Sequence, residues 1–241
     1  MVTYWRITIM DIFQKKKEGN RTMKKMILIT ALFSCATLGS TVVHAEDKDA
    51  TSIAKIGISQ ADPDNPVGPI DPIDPDDNPN SNDPTGNTGV LRIDYISNID
   101  FGTQTISGST ETYAAQKPSL RTEAQVSDLR GTGAGWNLQV NYDSESAGFK
   151  TQSGQELKGA QLTLPNGTPK TVNDNQSATP STAVVTVNTE AQNIMTSAVN
   201  TGLGTWADQM TTTDVSLKVP SGNLAGDYTA TLEWTLTDAP A

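Results

Sequence analysis

Two tryptophan-leucine pairs, each with one residue between, carry the side chains best suited to recognition chemistry: Trp136 with Leu138, and Trp234 with Leu236. An indole presents a broad apolar face and one N–H donor, a surface that fits the apolar face of a sugar ring. The neighbouring Asn137, Gln139, Thr235 and Thr237 supply amide and hydroxyl groups that can bond sugar hydroxyls. A plainer role competes. A tryptophan sharing its strand face with Leu, Val and Tyr ordinarily fills a core, which stabilises a fold by roughly 2–3 kcal/mol. Packing is therefore the first reading of Trp136 and of Trp234, and contact the second. The two coexist where an indole is mostly buried but shows one edge. The contact reading also expects the two indoles to approach each other near one edge of the domain as a platform. Trp206, after Gly202-Leu203-Gly204-Thr205, is read as a loop-end plug first and a contact second.

Little else suggests catalysis. The single cysteine, Cys35, and the single histidine, His44, both precede residue 46 in what reads as a secretion signal. A processed chain then has no disulfide, no Cys/His zinc site, no Ser-His-Asp triad and no Cys-His dyad. A glycosidase would need only two carboxylates, but no spacing among the Asp and Glu residues singles out a pair. The expectation is a protein that is not an enzyme and takes no cofactor or metal. Nothing resembles a Gly-rich phosphate loop entering a helix, nor a basic amphipathic stretch for a membrane.

The elements that must position these residues follow from alternation. From residue 226 to 240, Tyr228, Ala230, Leu232, Trp234 and Leu236 share one face while threonines and Glu233 share the other, the pattern of a half-buried strand. Residues 135–142 repeat it with Trp136, Leu138, Val140 and Tyr142. Further strands are expected at residues 90–96, 120–126, 160–164, 183–187 and 215–219, punctuated by Gly, Pro and Asn turns. Only residues 191–199 carry a weak helical signal. The fold class is all-β, read as an Ig-like or Greek-key β-sandwich with long loops, although the pattern alone does not separate a sandwich from a barrel.

Upstream, the chain changes character twice. Residues 1–22 match no element of the later domain, and translation is expected to begin at Met23. Residues 23–45 then read as a secretory signal peptide: Lys24-Lys25, an apolar run too short for a comfortable membrane span of about 20 residues, and Val43-His44-Ala45 as the cleavage signal. Leu32-Phe33-Ser34-Cys35 is a poor lipoprotein box because Phe33 is bulky. Residues 46–89 are rich in Asp and Pro and too poor in apolar residues to build a core, so they are expected to be a disordered acidic linker. Clustered Asp and Asn raise calcium binding, but the Gly turn and terminal Glu of an EF-hand are missing. Loss of residues 1–45 would remove 2 of the 27 acids and 7 of the 17 bases, leaving a net charge of −15. Such a surface repels nucleic acid.

The paired Trp-x-Leu motifs do not stand alone. Val126-Ser127-Asp128-Leu129-Arg130-Gly131-Thr132 runs into the first, Gly154-Gln155-Glu156-Leu157-Lys158-Gly159-Ala160 lies between, and Val215-Ser216-Leu217-Lys218-Val219-Pro220 precedes the second. Together, over residues 90–241, this resembles the WxL domain family of Gram-positive surface proteins. The resemblance implies a secreted protein held noncovalently on the cell wall, with peptidoglycan as ligand and Trp136, Leu138, Trp234 and Leu236 as the wall-binding motif. It implies work alongside other WxL-locus surface proteins, including membrane-tethered partners with Ig-like domains. Leu164-Pro165-Asn166-Gly167-Thr168 is only a scrambled sortase signal, which agrees with noncovalent attachment. With little chain left beyond linker and domain, a small subunit of a surface complex is expected. The alternative is an adhesin for host matrix protein or another surface protein.

Overall fold

The computed structural model describes residues 53–63, 84–117, 121–171 and 174–238. The extension at residues 1–22, the signal segment at 23–45 and much of the expected linker lie outside the described residues. The chain divides into two compact units, Met1–Lys55 and Ile56–Ala241. Of the first, only residues 53–55 are described; they belong to no helix or strand.

The second unit is all-β. Among the described residues, twelve strands form three four-stranded sheets, and every strand pair is antiparallel. The strands are β1 (Leu91–Ile96), β2 (Glu111–Ala114), β3 (Arg121–Asp128), β4 (Trp136–Tyr142), β5 (Gln161–Leu164), β6 (Thr168–Thr171), β7 (Ser181–Thr182), β8 (Val185–Thr186), β9 (Gln192–Ser197), β10 (Gly204–Thr211), β11 (Ser216–Val219) and β12 (Leu232–Thr237). The sheet orders are β1-β3-β10-β6, β2-β11-β5-β8 and β12-β4-β9-β7. All three contribute to one core, which includes Ile93, Val126 and Met210, Leu162, Leu164 and Leu217, and Trp136, Leu138, Val140 and Ile194.

Short strands suit this architecture. Each sheet has only four strands among the described residues, too few to close on itself as a barrel. Three small sheets instead pack their apolar faces against one another.

Several elements differ from the sequence expectation. Residues 192–197 form strand β9 and no helix, because Ile194, Met195 and Ser197 are buried beside β4, and tertiary packing overrides a weak local preference. Strands β2, β6, β7 and β10 escaped the apolar-alternation test. Strand β10 is the instructive one. It pairs with β3 over eight residues, yet its run Gly-Thr-Trp-Ala-Asp-Gln-Met-Thr mixes polar and apolar side chains on both faces.

The reason is a buried polar face on that sheet. Arg92 and Asp94 form an ion pair at 2.6 Å with both side chains almost fully buried. The same carboxylate accepts from Ser127 Oγ at 2.6 Å and from Gln125 Nε2 at 3.3 Å, and Ser127 Oγ lies 2.7 Å from Thr205 Oγ1. Glu123 accepts from Gln209 Nε2 at 2.9 Å. Buried polar groups persist when they are bonded in this way.

Candidate functional site

The last strand is shorter than its alternation suggests. Regular pairing begins at Leu232, while residues 223–231 form a loop held to its neighbours by the exchange between Thr229 and Lys150. From Leu232 onward β12 runs antiparallel to β4, with Leu232 opposite Tyr142, Trp234 opposite Val140 and Leu236 opposite Leu138. Directly opposed residues share a face, so both Trp-x-Leu motifs aim at the same core.

Their tryptophans are nevertheless apart. Trp234 lies opposite Val140, four residues beyond Trp136, a separation of about 13 Å along the strand. Trp136 is wholly buried, and its indole N–H donates to the Gly202 carbonyl at 3.2 Å. Glycine is required on both sides of it. A Cβ at Gly202, whose φ is +62°, would sit 2.4 Å from Ser197 Oγ and 3.2 Å from the Trp136 ring, and one at Gly135, φ +82°, would sit 2.5 Å from the Ser197 carbonyl.

Leu138 is as deeply buried as Trp136, whereas Trp234 and Leu236 are only half-buried. Of the four motif residues, then, the first pair is packing and the second reaches the surface. The expected platform of two adjacent indoles is not what the register builds. Trp206 is buried within strand β10, between β3 and β6 and not at a loop end, and donates its indole N–H to the Leu203 carbonyl at 3.0 Å.

Trp234 instead forms part of the wall of a groove of about 1090 Å³. Its rim comes from two long loops, residues 97–109 after β1 and residues 220–231 before β12. Phe101, Tyr113, Phe149, Tyr228 and Trp234 give it aromatic surface, and among the described residues Asp100 and Asp227 are the only charged ones lining it. The remainder is largely Ser, Thr, Asn, Gln and aliphatic side chains.

Both rims are braced. Asp100 accepts from the Gly102 N–H at 2.7 Å, Gln104 Nε2 donates to the Phe101 carbonyl at 2.7 Å, and Ser107 and Ser109 donate to Glu111 at 2.8 Å. The Ser109 and Ser107 hydroxyls hold the Glu111 carboxyl below its ordinary range. Across the groove, Asn223 accepts from the Lys158 N–H at 2.8 Å and donates to the Pro220 carbonyl at 3.0 Å. Tyr228 accepts from Gln155 Nε2 and donates to the Leu224 carbonyl at 2.8 Å. The Gly154–Ala160 tract singled out in the sequence thus anchors the second rim. On the floor, Phe149 stands edge-on to Tyr142 with ring centroids 6.2 Å apart, and burial pushes the Tyr142 hydroxyl pKa up.

Sequence reasoning treated Phe101-Gly102 and Ser107-Gly108 only as turns. The available signal was aromatic residues embedded in loops rich in Ser, Thr, Asn and Gly, a composition that lines sugar sites as readily as it makes turns. The tract Leu164-Pro165-Asn166-Gly167-Thr168 is folded structure: Leu164 ends β5, Thr168 opens β6, and Gly167 is buried against the Asp208 carboxyl. Among the described residues, no group of His, Cys, Asp and Glu could hold a metal ion, and no helix is long and apolar enough to cross a membrane.

Fold and groove together give a β-rich domain with an aromatic-lined recess that carries two aspartates. The family model for the WxL domain, described as surface cell wall-binding, matches residues 45–240, and the chain belongs to that family. No curated protein matches it, and no solved structure does. The family assigns it to the cell surface and to cell-wall binding.

Proposed function

We propose that this secreted protein attaches noncovalently to peptidoglycan through the groove beside Trp234, and that it serves as a small subunit of a multi-protein surface complex. The observation that carries the reading is the groove lining: five aromatic rings among neutral hydrogen-bonding side chains, with two aspartates and, among the described residues, no cation. Aromatic faces stack on sugar rings, and hydroxyl and amide groups match sugar hydroxyls. A lining without Lys or Arg disfavours phosphate-rich wall polymers and favours the uncharged glycan.

In this reading Trp234 meets the ligand side, Leu236 lines a separate, smaller hollow, and Trp136 and Leu138 hold β4 rigid behind them. The protein acts by binding and not by catalysis; measurable sugar release from wall fragments by the pure protein would reverse that statement. The attachment test is co-sedimentation with peptidoglycan sacculi stripped of teichoic acid. Phe101→Ala and Tyr228→Ala are expected to weaken binding by about tenfold each, with Lys170→Ala on β6 as an unaffected control. Full retention by both groove variants, with circular dichroism unchanged, would remove the groove from wall attachment.

A further inference from the structure

A sheet edge is a row of unpaired N–H and C=O groups, and folds usually blunt theirs. Among the described residues, five of the six sheet edges are short or covered. Strands β7 and β8 have two residues each, and β2 has four. Strand β6 carries Pro169 and Lys170. Along β1, Thr85 donates its N–H to Asp94 O at 3.0 Å and its hydroxyl to Ile93 O at 2.6 Å, Asn87 Nδ2 reaches Ile93 O at 3.1 Å, and a bulge falls between Ile93 and Tyr95.

Strand β12 has none of these defences. It is six residues long, pairs only with β4 among the described residues, and contains no Pro, Lys or bulge. It also walls two hollows: the large groove at Trp234, and a second of about 420 Å³ at Leu236 and Asp238 that faces β1. An added strand would meet half-buried Trp234 and Leu236, two residues apart on one face.

The chain contains a segment of matching pattern. Ile56 and Ile58, also two residues apart, are 87% and 90% exposed and belong to no helix or strand. Charge agrees in part: residues 51–61 hold a single charged side chain, Lys55, while Glu233 stands on β12 and Asp227 on the large groove; Asp238 is paired with Arg130 and Asp100 with Lys117, and Arg92 on the smaller hollow is paired with Asp94.

We propose that residues 56–60 of one molecule add as a strand to the free edge of β12 in a second copy of this chain, with Ile56 and Ile58 packing beside Trp234 and Leu236. In either strand direction Lys55 falls on the outward face with Glu233, because adjacent residues alternate across a strand. Pairing of this kind takes its affinity from main-chain hydrogen bonds and its register from the alternate side chains. It buries the isoleucines and satisfies the edge in one step. Repeated from copy to copy, it is a head-to-tail contact that builds open chains. It needs no wall ligand, so it is tested in the absence of wall material.

The experiment uses the secreted chain, from which processing after Ala45 would remove the single cysteine, Cys35. Analytical ultracentrifugation is expected to show concentration-dependent association of the parent protein. Ile56→Asp with Ile58→Asp, both at exposed positions, should weaken it about a hundredfold, and an excess of a synthetic peptide of residues 53–60 should dissolve it. Mixed Gly57→Cys and Thr235→Cys single variants, which share the outward face and stand opposite each other in either strand direction, should form a disulfide between two chains. A monomer at every concentration overturns the proposal, as does association indifferent to the double variant. A double-cysteine chain that closes only within itself also overturns it, because the segment then docks on its own β12.

Discussion

Leu236 lies directly across from Leu138, so the two Trp-x-Leu motifs are joined through their leucines while their tryptophans stand four residues apart along the paired strands. This register gives the two motifs unequal duties. One indole is sealed inside and the other borders the groove.

Substitution of the two tryptophans is therefore expected to separate stability from binding. Trp136→Ala removes a fully buried ring and its bond to Gly202, and should cost about 3–5 kcal/mol. Trp234→Ala, at a half-buried position, should cost about 1–2 kcal/mol and reduce peptidoglycan binding while the domain stays folded. Denaturant unfolding and sacculus co-sedimentation of the same samples check both. Equal destabilisation by the two variants would contradict the division.

Gly202→Ala tests the seat of the buried indole without touching the indole. The new methyl group meets Ser197 and the Trp136 ring, and the backbone must hold a positive φ. A loss of about 2–4 kcal/mol is expected, read from the shift of the unfolding midpoint. An unchanged midpoint would mean that the Gly202 turn relaxes freely.

Asp208 makes stability depend on pH. Its residue is wholly buried on β10, neither carboxylate oxygen has a hydrogen-bond partner, and burial raises its pKa to about 7 from 3.8. A carboxyl raised in the folded state binds more protons folded than unfolded, so stability falls as pH rises between the two values. The domain should be most stable, as far as this group is concerned, below about pH 4. It should lose on the order of 4 kcal/mol by pH 7 and change little above. Asp208→Asn removes the ionisation, so the stability difference between parent and variant should move in the variant's favour across that window. A difference that is flat from pH 4 to 8 would show that the carboxyl is hydrated or paired.

Salt dependence tests whether the wall contact is ionic. Among the described residues the groove lining holds no cation, and processing after Ala45 would leave a strongly acidic chain. Moderate monovalent salt screens repulsion from anionic wall polymers, so binding to whole walls should hold or strengthen. Steep loss of binding with added salt would point to an ionic contact elsewhere on the surface.

Much of this arrangement was legible before the fold. Alternation fixed the faces of residues 136–142 and 232–237, since side-chain direction in a strand has a period of two and nothing else is needed to assign it. Strands β1, β5 and β11 were readable for the same reason. Strand β10 was not, because Asp208 and Gln209 interrupt its apolar pattern. A polar side chain can be buried when another strand supplies its partner or when its proton stays on, and neither condition is local. Residues 192–197 misled in the opposite sense: their weak helical preference yields to pairing with β4, which lies more than fifty residues away.

The chain by itself determined the family, the all-β class and which side chains of each Trp-x-Leu motif share a face, because these follow from residue types and their spacing along one strand. The tertiary structure alone decided that Leu236 pairs with Leu138, that Trp136 is sealed while Trp234 borders a groove, and that two distant loops supply the rim. Each depends on strand register and on chain segments meeting across long separations, and that is settled by how three small sheets pack their apolar faces into one core.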